Sequence, residues 1–386
     1  MMRSIRSIAA LAGLVPVLAL TGSTAPALAR PAFAGVAGSP HTVRPAVSLT
    51  TSGFRVAARR HYGEPGNASG FSVIVVSGRH QAWAFGGTNP GGTSTPVAER
   101  WNGSTVTPSA LPAGLTGFIN YASAPSAHDI WAASEFGQYV LHWNGAGWHL
   151  ARRWSSGPIT GLTAISPTDV WVFGTTASGV TGTGTWHLDG HQWVRVAGRA
   201  AGIYRASAVS RRDIWAISAT SKADSILTYN GRSWRRVHTG SVLSGVQLHD
   251  ILAVSDHDVW VLGDEVSRGR VGLVLAHWNG ARWATLSRLS AWPGLLARGP
   301  HGSVLVTATP SNAAAAGLIL QAGEYGWGPV ITIESQLGSG VSDVALVGKT
   351  RSLWATGGVL TRLGGDAVIW QGTLGRTAHH RDDDDV

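Results

Sequence analysis

Short runs of β-branched and aromatic residues alternate with Gly-rich turns along most of the chain, and no stretch keeps the 3.6-residue period of an amphipathic helix. The segment from Ile159 to Val196 shows the pattern in full. Its apolar runs predict four strands, Ile159 to Ser166, Asp169 to Gly174, Gly184 to Leu188 and Gln192 to Val196, each bounded by turn residues. The unit then recurs. Ser126-Ala-His-Asp-Ile-Trp131, Ser166-Pro-Thr-Asp-Val-Trp171, Ser210-Arg-Arg-Asp-Ile-Trp215 and Ser255-Asp-His-Asp-Val-Trp260 are four copies of one S-x-x-D-[IV]-W turn. Trp83 and Trp354 extend the frame, and Leu305 fills it in a degenerate copy, with spacings of 48, 40, 44, 45, 45 and 49 residues. Seven units of this length, each with four strands, predict an all-β, seven-bladed β-propeller with four antiparallel strands per blade.

Each repeated residue has a structural reading. Asn102-Gly103, Asn144-Gly145, Asp189-Gly190, Asn230-Gly231 and Asn279-Gly280 predict two-residue hairpins between third and fourth strands, with positive φ angles tolerated at both positions. The Ser and Asp of S-x-x-D are placed to cap backbone N–H groups of the preceding turn. Fifteen of the eighteen tryptophans fall on repeat positions, where large flat rings fill the wedge between neighbouring blades, and only Trp154, Trp186 and Trp292 fall outside them. The seventh unit stops after its third strand, Asp366 to Gln371, whereas Phe54-Arg55-Val56-Ala57 stands before the first inner strand as Trp193-Val194-Arg195-Val196 does elsewhere. The N-terminal strand is therefore expected to close the ring and to remove an exposed sheet edge.

The order of a glycine after the second strand, an aromatic before the hairpin and a tryptophan opening the outer strand resembles kelch and galactose-oxidase-like propellers. Gly86-Gly87 and Gly357-Gly358 carry the kelch double glycine, while Gly174 and Gly263 stand single. The S-x-x-D-x-W and W-N-G repeat is also similar to that of secreted bacterial propeller proteins of little-known function. The resemblance spans about Phe54 to Gln371 and implies architecture only. With no cysteine, the cysteine-linked tyrosine cofactor of galactose oxidase is ruled out.

The ends of the chain read differently from the repeat. Arg3 and Arg6, an apolar run from Ile8 to Leu20 and Ala27-Leu28-Ala29 predict a signal peptide over residues 1–29, with Ala34 as a second cleavage point. The apolar run is too short to span a bilayer, so no stable membrane insertion is expected. Residues 30–52 read as a flexible leader, 53–375 as the propeller and 376–386 as an acidic tail ending in Asp382 to Asp385. The chain is expected to be secreted, extracellular or loosely held at the cell wall, and monomeric. Without Arg3 and Arg6 it keeps 28 basic against 21 acidic residues, a balance that favours acidic partners.

The turns between first and second and between third and fourth strands share one face of the disc and are uniform, which directs attention to the opposite face, where loops vary. Those loops carry Arg59, Arg60 and His61; Arg152, Arg153 and Trp154; Arg199; Arg268 and Arg270; and Arg288 with Trp292. Guanidinium groups beside aromatic platforms suit an anionic glycan, a cell-wall polymer or an acidic protein surface. The alternative is that these tryptophans pack against loops and the arginines are solvated charge. His142, His187 and His277 recur before the hairpin turns and read as structural, so no metal is expected. An extracellular glycoside hydrolase or lyase would need paired carboxylates. The loop acids Glu64, Glu135, Asp224, Asp264 and Glu265 form no recognisable motif, so no catalytic residue and no cofactor is assigned. Nucleic-acid binding is disfavoured by the modest charge and the export signal.

Overall fold

The computed structural model describes residues 49–374 apart from 52, 63–66, 156, 175–181, 197–201, 220–223, 268, 287, 311–316, 325, 334–338 and 362–363. The predicted signal peptide, acidic tail, Arg199, Arg268 and Glu64 lie outside the described residues. Seven antiparallel sheets form the blades of a propeller. Their first strands are Ser69–Gly78, Ile119–Ser123, Gly161–Ser166, Ile203–Ser210, Gln247–Ser255, Ala291–Arg298 and Ser339–Leu346, and each packs beside the first strand of the next blade around the ring. The seventh meets the first in the same way.

Closure occurs where the sequence pattern places it. Arg55–Arg60 pairs antiparallel with Gly364–Thr373 and supplies the outer strand of blade seven. Leu49–Thr51, within the stretch read as a leader, pairs parallel to the outer strand Gly326–Ile333 of blade six and makes it five-stranded. The N-terminal segment thus touches two neighbouring sheets.

The tryptophans fill the wedges. Trp83 of blade one lies against Trp143 and Trp148 of blade two, with ring centroids at 4.9 and 5.2 Å. Trp171 meets Tyr229 and Trp234 of blade four, Trp215 meets Trp278 and Trp283 of blade five, and Trp354 meets Trp101 across the closure. A fully buried tryptophan removes about 200 Å² from water, a gross gain on the order of 5 kcal/mol each, which suits a chain with no disulfides.

Two turn assignments need correction. In blades one to five the loop after the third strand has four residues, as where Trp101 pairs with Val106 and Trp278 with Trp283. Only its glycine takes positive φ, as Gly103 does at 99°. The preceding Asn instead folds its side chain over the turn: Asn102 Oδ1 accepts the N–H groups of Ser104 and Thr105 at 3.1 and 3.0 Å, and Asn144, Asn230 and Asn279 repeat the arrangement.

The second correction concerns S-x-x-D. Its serine caps the turn as expected, Ser166 Oγ accepting from Thr168 N–H at 3.3 Å. Its aspartate does not cap a backbone group. Asp169 binds His187 Nε2 at 2.9 Å and accepts the Trp171 indole N–H at 3.2 Å, while His187 stacks on Trp171 at 4.0 Å. Asp258, His277 and Trp260 repeat this triad, and His142 pairs with Asp129 over Trp131. The three recurring histidines therefore tie the third strand to the Asp turn of their own blade.

Candidate functional site

Inner strands build the centre of the ring. In six of the seven blades the first strand carries a β-bulge near the variable-loop face, at Ser72, Asn120, Tyr204, His249, Gly294-Leu295 and Ser342. A bulge leaves backbone groups unpaired and re-aims the residues beside it. Tyr121, Arg205, Asp250 and Asp343 directly follow bulged residues on four different blades.

These side chains form a polar network across the channel. The Arg205 guanidinium of blade four stands 4.8 Å over the Tyr121 ring of blade two and 3.9 Å from Asp250 of blade five. Tyr121 hydroxyl donates to Glu135 at 3.5 Å. Carboxylates also button blades together: Asp250 accepts Leu296 N–H of blade six at 2.8 Å, and Asp343 accepts Ile74 N–H of blade one at 2.9 Å. Asp224 does the same for Leu248 N–H of blade five, and His249 is in close contact with Asp264.

Burial dominates the electrostatics. It pushes the Glu135 carboxyl up to about 7 against the opposing pull of Arg205, and the Asp343 carboxyl up to about 7 against its two backbone donors. Asp250 shifts upward for the same reason. Burial works against the charge of Arg205, but Tyr121, Asp250 and Glu135 outweigh it and hold its pKa above the ordinary value. Near neutral pH the Glu135 and Asp343 carboxyls thus stand between their protonated and ionised forms.

The loop residues singled out from sequence do not converge on this centre. Arg60 forms an ion pair with buried Glu99 of blade one at 2.9 Å and donates to Val106 carbonyl at 3.0 Å, while Arg59 lies 3.8 Å from Asp366. Arg152 is stacked between Trp154 and Trp186, its guanidinium 5.3 and 4.1 Å from the two rings, and Trp154 itself is buried. Arg153 stands over Tyr139 at 5.5 Å. Arg288 pairs with Glu265 beside the strand that Arg270 opens on blade five. Trp292 is the second residue of the blade-six inner strand and is 51 % exposed.

Exposed apolar residues were the missed signal on this face. Phe136 in the loop after the second strand of blade two is 70 % exposed, Val266 at the equivalent hairpin of blade five 64 %, and Leu360 at that of blade seven 43 %. Trp292, near the start of the blade-six inner strand, lies toward the same face. Each sits at a turn or a strand end where the repeat imposes no residue type, so no periodicity marks it.

No family model matches the chain, and no curated protein does. Among solved structures, a chain described as YCF48 bound to D1 peptide has a TM-score of 0.55 at 16 % identity, covering 86 % of this chain and 99 % of that one. The likeness is to YCF48. A second, YCF48 from Cyanidioschyzon merolae, has a TM-score of 0.51 at 14 % identity, covering 82 % of this chain and 99 % of the other. At these identities YCF48 shares the fold. No kelch or galactose-oxidase protein is among these neighbours.

Proposed function

We propose that this chain is an exported interaction propeller that receives a peptide segment of a protein partner on its variable-loop face. The observation that carries the reading is the exposure of Phe136, Val266, Trp292 and Leu360, four apolar side chains on one face of the disc. Exposed apolar groups gathered on one face mark interaction sites more often than scattered ones do. A similar propeller, YCF48, is described with a bound peptide, which supports a protein ligand over the anionic glycan or cell-wall polymer also compatible with the arginine-rich loops. The kelch-like residue order contributes architecture to this reading and no activity.

Selection of a displayed random-peptide library against the purified propeller tests it. Selected peptides should bind Phe136→Ser and Trp292→Ser at least tenfold more weakly and Leu150→Ser, exposed on an outer strand, unchanged. Equal binding to all three variants would refute the site, and ligands found only on a glycan array would make the ligand a sugar. Export is checked by N-terminal sequencing of protein from culture medium, which should begin at Arg30 or Gly35.

The hydrolase or lyase alternative has Glu135 in its favour, a channel carboxyl with a pKa of about 7 and, among the described residues, no backbone donor. The carboxylates Asp250 and Asp343 are occupied with backbone N–H groups of adjacent blades. New reducing ends or unsaturated sugars released from polysaccharides, and their loss in Glu135→Gln, would establish it.

A further inference from the structure

The face that carries the S-x-x-D turns is uniform in turn type, yet only two positions of each S-x-x-D turn are fixed by the scaffold. The positions between them are free, and around the ring the turns between first and second strands expose Arg79, Arg211, Arg212 and Lys349 against Asp256. The second free position has a packing role, since Arg212 and the histidines at 80, 128 and 257 cover the glycine of their own blade's Asn-Gly turn. That role needs bulk, not charge. These turns surround the channel where the inner strands end.

Inside that opening lies a cavity of about 300 Å³, far larger than a single water. Its wall is formed by Ser123, Thr163 to Ile165 and Ala206 to Val209 on three consecutive inner strands, with Arg298 from blade six. Among the described residues no acidic side chain lines it. Arg298 is exposed, its Nη2 donates to Ala253 carbonyl at 3.0 Å, and among the described residues no carboxylate pairs with it. The same Ala253 donates its N–H to Ser207 Oγ at 3.0 Å, which leaves the Ser207 O–H proton free for another acceptor. One backbone unit thus sets a guanidinium and a hydroxyl donor side by side at a polar cavity.

We propose that this channel opening is a binding site for a linear polyanion, with one phosphate or carboxylate group held in the cavity by Arg298 and Ser207 and neighbouring groups by Arg79, Arg211, Arg212 and Lys349. Charge-assisted bonds from a guanidinium fix the anchored oxyanion, and the surrounding cations raise the local concentration of a chain of like groups. The site lies on the face opposite the proposed peptide surface, so the two readings stand or fall separately.

Titration calorimetry at 150 mM salt with two probes, tripolyphosphate and poly-glutamate, tests the site. Binding of either probe that weakens at least tenfold in Arg298→Gln, about threefold in Ser207→Ala and in Arg211→Gln, and not in Arg59→Gln on the other face, would support it. The stronger probe then identifies the oxyanion. Absence of binding by both probes at 5 mM, or binding unchanged in Arg298→Gln, would overturn it. Equal weakening by Arg59→Gln would overturn it too, because that outcome reports only the general attraction of a basic protein. Should Arg298→Gln fail to fold, Ser207→Ala and Arg211→Gln, neither of which breaks the Arg298–Ala253 bond, decide the matter.

Discussion

At the scale of single residues, the buried acids do two kinds of work that their surroundings distinguish. Asp169 is half of a hydrogen-bonding exchange with His187 and Trp171 within one blade, so Asp169→Ala strands an imidazole and an indole N–H. Its expected cost is about 2 kcal/mol in urea unfolding, read as a lowered midpoint with an unchanged slope. Asp343 joins two blades and titrates. Its carboxyl rises from 3.8 to about 7 through burial, so between about pH 4 and 7 the unfolded chain releases this proton while the folded chain keeps it. The stabilisation is therefore complete below pH 4, declines as pH rises, and levels off above 7, with a slope on the order of 1 kcal/mol per pH unit. Glu135 adds a decline of the same sign in the same window. Asp343→Asn keeps an acceptor for Ile74 N–H and removes the titration, so its urea midpoints at pH 4, 6 and 8 should vary less than those of the parent. Parallel curves would show that the proton is not held as described.

At the scale of strands, the glycines Gly86, Gly263 and Gly357 in the second strands of blades one, five and seven are explained by the bulges opposite them. Where the first strand of blade one bulges at Ser72, its backbone presses on the neighbouring strand, and a Cβ on Gly86 would lie 1.9 Å from Gly70 carbonyl oxygen. Gly357 meets Gly340 carbonyl at the same distance in blade seven. Gly86→Ala should therefore force the bulge apart and cost several kcal/mol, about what overpacking and a lost ladder bond together give, visible as a melting temperature lowered by on the order of 10 °C. The glycines were legible in the sequence as part of a repeat, as were the strands, the blade count and the wedge tryptophans, because each recurs at a fixed spacing. The channel network was not. Tyr121, Arg205, Asp250 and Asp343 occupy equivalent places beside bulges but are three different residue types, and their partnership arises only when blades two, four, five and seven come together around the axis. Glu135, Asp224 and Asp264 read singly as loop acids, and their partners Tyr121, Leu248 and His249 emerge only with the fold. The arginine-rich loops were legible as charge, but the partners that hold Arg60 and Arg152, Glu99 and Trp186, stand in other units.

At the scale of the whole molecule, the ring is held shut by one borrowed strand and a small set of contacts around it. Arg60 on that strand reaches across to Glu99 of blade one, whose side chain has no exposure, and Tyr62 hydroxyl donates to the same carboxylate at 2.8 Å. Phe54 packs directly over Gly372. Removing one partner of a buried pair leaves an uncompensated charge, so Arg60→Ala should cost about 3 kcal/mol while leaving the strand in place. Removing the whole segment through Tyr62 does more, because it bares the backbone edge of Gly364–Thr373 as well as isolating Glu99. An exposed edge of ten residues invites pairing between copies. The truncated chain should therefore melt on the order of 10 °C lower than the parent and associate with rising concentration, as seen by sedimentation. Arg60→Ala should melt between the two and stay monomeric. A synthetic peptide spanning 49–62, added in excess, should restore the monomer and most of the lost melting temperature, since closure is non-covalent and binding to the folded ring stabilises it by mass action. A truncated chain that melts like the parent and gains nothing from the peptide would mean that the six complete sheets hold the ring without its closing strand.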